Sequence, residues 1–247
     1  MSKQKVNKGG LKLNIKEFDT RLPQGDMSGI LLRDCNWAVK TAGPSPDDNN
    51  RTEIFLLGCQ KAMSGNPCKG CFNSTTWDKS KAQWSHDPIK MAEHISNCAP
   101  NRYITIGGGE PTDQIDNLII LCRELKKYGF HIMMYTWRDL KLAVDSGKIV
   151  VKHHEEWKFR EKMLKLLKYI DIVVDGQYKE ELRMWDGTKE DGLISSIGSG
   201  NQIVWDIRDK IGYAMKDIVA LYLREIERPD DLQYVIRNNA EEFKLNY

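Results

Sequence analysis

Apolar residues recur along this chain with two periods, and segments of the two kinds alternate. Alternating or continuous apolar runs predict strands over 11–18, 29–39, 54–57, 103–106, 131–135, 170–174 and 202–207. Apolar residues three and four apart predict helices over 88–98, 113–128, 139–144 and 161–169. In the first helix Ile89, Ala92 and Ile95 share a face, and Asp87 stands where a cap is needed. In the second, Ile115, Leu118, Ile119, Cys122 and Leu125 point inward, and Gly129 stops the helix. Strands alternating with helices imply an α/β fold with a parallel sheet and right-handed crossovers. Residues 43–50 read as a loop, and 211–247 as one or two amphipathic helices split near Pro229.

In such sheets, sites gather beyond the carboxyl ends of the strands. Four polar features fall there: a cysteine-bearing loop after 54–57, the turn Gly107-Gly108-Gly109-Glu110, Thr136, and Asp175. The loop, Gly58 to Asn73, holds Cys59, Cys68 and Cys71, with eight residues between the first pair and two between the second. No fourth cysteine lies close by. Thiolates select zinc or iron–sulfur clusters. A saturated site uses four ligands, so a local set of three leaves two readings open. One is a structural zinc site with a distant fourth ligand, and the other is a cluster with one iron free to bind substrate.

Composition narrows the setting. The 247 residues make one large domain or two small ones. Lys and Arg number 37 against 35 Asp and Glu, a net +2, too balanced to argue for a nucleic-acid or bilayer partner. No apolar run approaches the ~20 residues of a membrane span, and the first residues lack an apolar signal core. The expectation is a cytoplasmic protein, in which clustered cysteines bind metal or react rather than pair as disulfides. Cys98 and Cys122 lie on apolar helix faces and read as core, and Cys35 has no ligand spacing. His153-His154 and the basic helix over 158–168 read as solvated surface.

Several stretches together carry a family resemblance. Arg51 to Cys59, then Cys68-Lys69-Gly70-Cys71-Phe72-Asn73 with Thr76-Trp77, resemble the cysteine motif of the radical S-adenosylmethionine superfamily. Gly107 to Pro111, Tyr135-Thr136 and Asp171 to Gly176 are similar to its later strand ends. Ile197-Gly198-Ser199-Gly200-Asn201-Gln202 is similar to a signature of the glycyl-radical activating enzymes of anaerobic ribonucleotide reductases. The likeness covers about 51–208. It implies a compact, incomplete (β/α) barrel with mostly parallel strands, in one domain: N-terminal strands and loop over 1–50, a core over 51–208, and a helical extension over 209–247.

It further implies a [4Fe–4S] cluster on Cys59, Cys68 and Cys71, with S-adenosylmethionine at the open iron. Asn73, Gly107, Gly108, Gly109, Glu110, Thr136 and Asp175 would surround that cofactor, with Glu110 meeting its amine. The implied partners are the large subunit of the reductase, whose glycine loses a hydrogen atom, and an electron donor such as flavodoxin or ferredoxin. Two departures stand out. The family places three residues, not eight, between its first two cysteines, so the extra loop within 61–67 is expected to reshape cluster access or partner docking. Where the superfamily often has an aromatic residue before the third cysteine, this chain has Gly70. Rival readings are a small-molecule radical enzyme akin to the 7-carboxy-7-deazaguanine synthases, and a non-catalytic zinc-binding module.

Overall fold

The computed structural model describes residues 20–22, 27–38, 51–146, 156–183, 198–214 and 242–247. The strands β1 (Ile30–Ala38), β2 (Arg51–Leu56), β3 (Ser85–His86), β4 (Tyr103–Gly108), β5 (His131–Tyr135), β6 (Ile172–Asp175), β7 (Ile203–Asp206), β8 (Ile211–Ala214) and β9 (Glu242–Lys244) form one sheet. Its order is β3-β1-β2-β4-β5-β6-β7-β8-β9. The helices are α1 (Gln60–Met63), α2 (Pro88–Cys98), α3 (Ile115–Lys127) and α4 (Glu156–Leu167).

The centre, β2-β4-β5-β6, is parallel. Both flanks are antiparallel: β1 and β3 on one side, β7, β8 and β9 on the other. Among the described strands parallel pairings are therefore in the minority, three against five antiparallel, where the sequence led us to expect a mostly parallel sheet. The reason lies in the connections. A parallel neighbour needs a long crossover, and α2, α3 and α4 supply one between each central pair. Between β7 and β8 the four residues 207–210 allow only a hairpin.

Strand alternation splits the sheet into two faces. Ile104 and Ile106 of β4, Ile132 and Met134 of β5, Val173 of β6 and Trp205 of β7 pack with Leu118, Leu121, Cys122 and Leu125 of α3 in the main core. The intervening residues, among them Phe55, Thr105, Gly107 and Tyr135, face the other way and line a cavity.

Helix α2 has the predicted bounds, and Asp87 Oδ1 accepts from the Ile89 and Lys90 amides at 2.8 and 3.1 Å. Its buried stripe is Pro88, Met91, Ala92 and Ile95, whereas Ile89 is 51% exposed. At 100° per residue Ile89 falls beyond the edge of that stripe. The expected helix over 139–144 is a helical turn at Leu140 that widens to π geometry over Leu142–Ser146. Of the stretch 211–247 expected to be helical, the two described ends are strands, β8 and β9, and residues 215–241 lie outside the described residues. The expected strand over 11–18, the loop over 43–50 and His153-His154 lie outside the described residues. No described helix is long and apolar enough to cross a membrane.

Strand β6 ends on Asp175, 3% exposed, whose Oδ2 accepts the Leu140 amide at 2.6 Å. Burial pushes its carboxyl up to about 7, against the pull of the Leu140 amide and of the Trp205 indole, which faces it without closing a hydrogen bond. Between about pH 4 and 7 the folded chain thus keeps a proton that the unfolded chain has released. Stability falls as pH rises through that window, by at most ~1.4 kcal/mol per pH unit, and levels off above it. Asp175→Asn, neutral at every pH, is expected to flatten this fall when thermal unfolding of the two proteins is compared from pH 4 to 8. Identical profiles would mean that Asp175 keeps an ordinary carboxylate pKa.

Candidate functional site

Past β2 the chain turns at Gly58 (φ +104) and reaches Cys59. Helix α1 follows, then a turn at Gly65 (φ +84), Cys68, Cys71, and a tight turn over Ser74–Thr76. There the chain comes back to its start: the Gly58 N–H donates to the Thr76 carbonyl and the Cys59 N–H to the Trp77 carbonyl, both at 2.8 Å. The residues between Cys59 and Cys68 bond largely among themselves, Met63 N to Cys59 O, Ser64 N to Gln60 O and Asn66 N to Lys61 O. The eight-residue spacing is taken up by this self-contained turn. It touches the segments after β4 and β5, through the Gln60 amide, which donates to Asp113 at 2.6 Å, and through the Lys61 ammonium over the Trp137 ring.

Gly70 has φ +72, and a Cβ there would lie 2.1 Å from the Glu180 carboxylate. The left-handed backbone is one that side chains rarely adopt, so any residue but glycine is strained there, while the Glu180 carboxylate could swing aside. Glu180 is itself held by the Tyr178 hydroxyl and Arg183. The Phe72 and Tyr178 rings meet at 4.9 Å and close this edge of the cavity.

The three glycines after β4 have different reasons to be glycine. A Cβ on Gly108 (φ +100) would sit 2.5 Å from the Leu56 main chain, and one on Gly109 would sit 2.1 Å from the Gly58 carbonyl. Close backbone approach there is what lets Gly109 N reach Leu56 O at 2.8 Å and Glu110 N reach Gly58 O at 2.7 Å. Gly107 alone has open space where a Cβ would stand.

Glu110 does not line the cavity; it lies wholly buried beneath the rim. Its Oε1 accepts from the Thr112 amide and hydroxyl (3.0 and 2.5 Å) and from the Thr136 hydroxyl (2.8 Å), and its Oε2 accepts from the Trp137 amide (3.0 Å). Burial pushes this carboxyl up, opposed first by the nearby Arg138 guanidinium. Arg138, also buried, donates Nε to Thr112 Oγ1 and Nη2 to Asp113 Oδ1, both at 2.7 Å. One network therefore joins the ends of β4 and β5 to the first turn of the cysteine loop.

All three thiols are free, and all three border one cavity of about 330 Å³. Asn73, Gly107, Gly108, Gly109 and Thr136 line it too, while Asp175 faces an adjoining hollow of about 820 Å³. Asn73 makes no side-chain cap to the turn that follows it. A larger cleft, about 1170 Å³, reaches Cys59 but neither of the other two cysteines. Cys35 and Cys122 are buried in the core and Cys98 packs against it. Gln202, from the 197–202 signature, bonds the Gly176 carbonyl and also lines the cavity.

The donor set fits an iron–sulfur cluster. Three soft sulfurs sit on one wall, and a fourth side opens on the strand ends. Burial pushes the Cys59 thiol to about 11 and raises Cys68, a tendency that a coordinated metal reverses.

Sequence reading missed Asp113, Arg138, Tyr178 and the indole of Trp77. Arg138 stands three residues past the end of β5, close to the strand-end rim, and that was the available signal. Its partners lie 25 and 26 residues away, where spacing says nothing.

Comparison with known proteins agrees with this arrangement. Residues 49–204, well over half of the chain, match the family described as 4Fe-4S single cluster domain. The anaerobic ribonucleoside-triphosphate reductase-activating protein of Enterobacteria phage T4 is 26% identical over 157 residues, spanning 59% of this chain and 84% of that protein. Proteins of the same name from Haemophilus influenzae and Pasteurella multocida are 23% and 25% identical over 163 and 162 residues, each spanning 64% of this chain and 88% of theirs. Because the family match runs from ahead of β2 into β7, taking in each element that borders the cavity, this chain belongs to the 4Fe-4S single cluster domain family.

Proposed function

We propose that the chain is a radical S-adenosylmethionine activating enzyme that generates a glycyl radical on the large subunit of an anaerobic ribonucleotide reductase. The observation that carries this reading is the meeting of Cys59, Cys68 and Cys71 with the parallel strand ends on one cavity. The names of the relatives support the same reading. The parallel centre β2-β4-β5-β6 with its helices on one face is consistent with an incomplete (β/α) barrel, in a single domain over 1–247. A flavodoxin or ferredoxin in the cytoplasm would supply electrons.

In this reading Cys59, Cys68 and Cys71 hold the cluster, which supplies the electron for reductive cleavage of S-adenosylmethionine. The remaining residues bind, orient and shield. The open face of Gly107 admits the cofactor against the backbone. Asn73 and Thr136 offer polar edges to it, and Phe72 and Tyr178 offer aromatic faces. Glu110 is a positioning residue: with four donors on its carboxylate it holds Thr136 and the β5 end in place, and a direct bond to the cofactor amine is not needed for that role. Asp175 holds the neighbouring strand end, beside the Gly176–Gln202 contact.

Anaerobic purification with iron and sulfide analysis tests the cluster directly. Cys59→Ala, Cys68→Ala and Cys71→Ala are each expected to abolish release of methionine and 5′-deoxyadenosine under reducing conditions, while Cys35→Ala lowers stability only. With cognate reductase added, wild type should give a glycyl-radical signal in electron paramagnetic resonance. A colourless protein with stoichiometric zinc would exclude the reading, and cofactor cleavage without radical transfer would favour a small-molecule substrate.

The glycines give a sharper test of geometry. Gly107→Ala is expected to fold and load iron as wild type does, because its Cβ meets open space, yet to bind S-adenosylmethionine more weakly. Gly109→Ala forces a Cβ against the Gly58 carbonyl and is expected to cost about 1–3 kcal/mol of stability. Calorimetric binding and thermal melts on the two variants check both. Equal cofactor affinity in Gly107→Ala and wild type would move the cofactor away from that wall.

A further inference from the structure

Trp77, on the cavity wall, bonds two of the three cysteines at once. Its carbonyl accepts the Cys59 N–H at 2.8 Å, and its indole Nε1–H donates to the Cys71 sulfur at 3.4 Å. Each sulfur in fact faces one N–H. The Ala62 amide approaches Cys59, the Tyr178 amide approaches Cys68, and the Trp77 indole bonds Cys71. The first two belong to the main chain, where only proline would remove them; the third is a side chain. An indole N–H is a donor with no acceptor capacity, and a sulfur carrying negative charge is its natural complement. The ring is half-buried on the cavity wall, where water competes little for the bond. Trp137 lines the same cavity, but its Nε1 is buried without a hydrogen-bond partner among the described residues.

We propose that Trp77 is a positioning residue that raises the reduction potential of the cluster by donating its indole N–H to the Cys71 sulfur. This rests on the cluster reading above. Reduction adds negative charge to the iron–sulfur unit, and hydrogen bonds to the sulfurs are among the terms that set its potential. An N–H aimed at a ligand sulfur stabilises the more negative state, so the electron is loaded more easily from a given donor. Packing alone would be served as well by Phe; only donation needs the indole.

The test uses the full chain, purified anaerobically with its cluster and without the reductase. Wild type, Trp77→Phe and Trp137→Phe are titrated with graded reductants, following visible absorbance and the resonance of the reduced cluster. Trp77→Phe should hold the same iron and sulfide per chain, and its midpoint potential should move to a more negative value, while Trp137→Phe stays at the wild-type value. An unchanged or more positive potential in Trp77→Phe, or an equal shift in Trp137→Phe, overturns the proposal and leaves the cluster reading standing. A wild-type chain without iron or sulfide overturns both. If Trp77→Phe does not load, the Trp137→Phe chain labelled with ¹⁵N at its indoles decides. A nitrogen coupling to the reduced cluster in pulsed resonance supports the bond, and its absence overturns it.

Discussion

Two main-chain hydrogen bonds hold the site in register, Gly58 N–H to Thr76 O and Cys59 N–H to Trp77 O. They bring the chain that has just passed Cys71 back against the residue that opens the loop. Once they form, the position of Cys59 beside Cys71 no longer depends on how many residues lie between Cys59 and Cys68. Closure entropy grows slowly with loop length, and the added residues satisfy most of their own backbone groups in α1 and the turn after it. A longer loop is therefore tolerated without disturbing the thiols.

The other half of the site depends on close backbone packing. Gly108 and Gly109 let the end of β4 lie against Leu56 and Gly58, and Glu110 then sits under the rim with four donors on its carboxylate. A buried carboxyl is costly unless its oxygens are bonded, and here they are. The same group, with Thr112, Asp113 and Arg138, ties two strand ends to the cysteine loop. Side chains held on strand ends by such a network are better placed than side chains on a free loop. This is why the chemistry-bearing face can be rigid although much of its chain is irregular.

Much of this was legible in the sequence. Short apolar runs marked the central strands, and Asp87 and Gly129 marked helix ends, because each of those signals is local. The meeting of the cysteine loop, the glycine turn and Thr136 followed from one rule about parallel sheets. What was not legible depended on contacts between distant residues. The antiparallel flanks follow from connections and pairing partners rather than from apolar pattern. The distinct roles of Gly107, Gly108 and Gly109 depend on what lies opposite each. The engagement of Glu110 by Thr112, Thr136 and Trp137, and the turning of Asp175 into the next hollow, are facts of packing. Gly70 looked like a loss and is a conformational requirement, set by the left-handed backbone between Cys68 and Cys71.

The Gly58–Thr76 and Cys59–Trp77 bonds, and not the length of the loop, place Cys59 with Cys68 and Cys71. The direct measurement is iron and sulfide content, with the visible spectrum, of a chain shortened to three residues between Cys59 and Cys68. The account predicts the same cluster content as the full-length loop. Loss of the cluster in a shortened chain that still folds would contradict it, because the extra residues would then belong to the metal site itself.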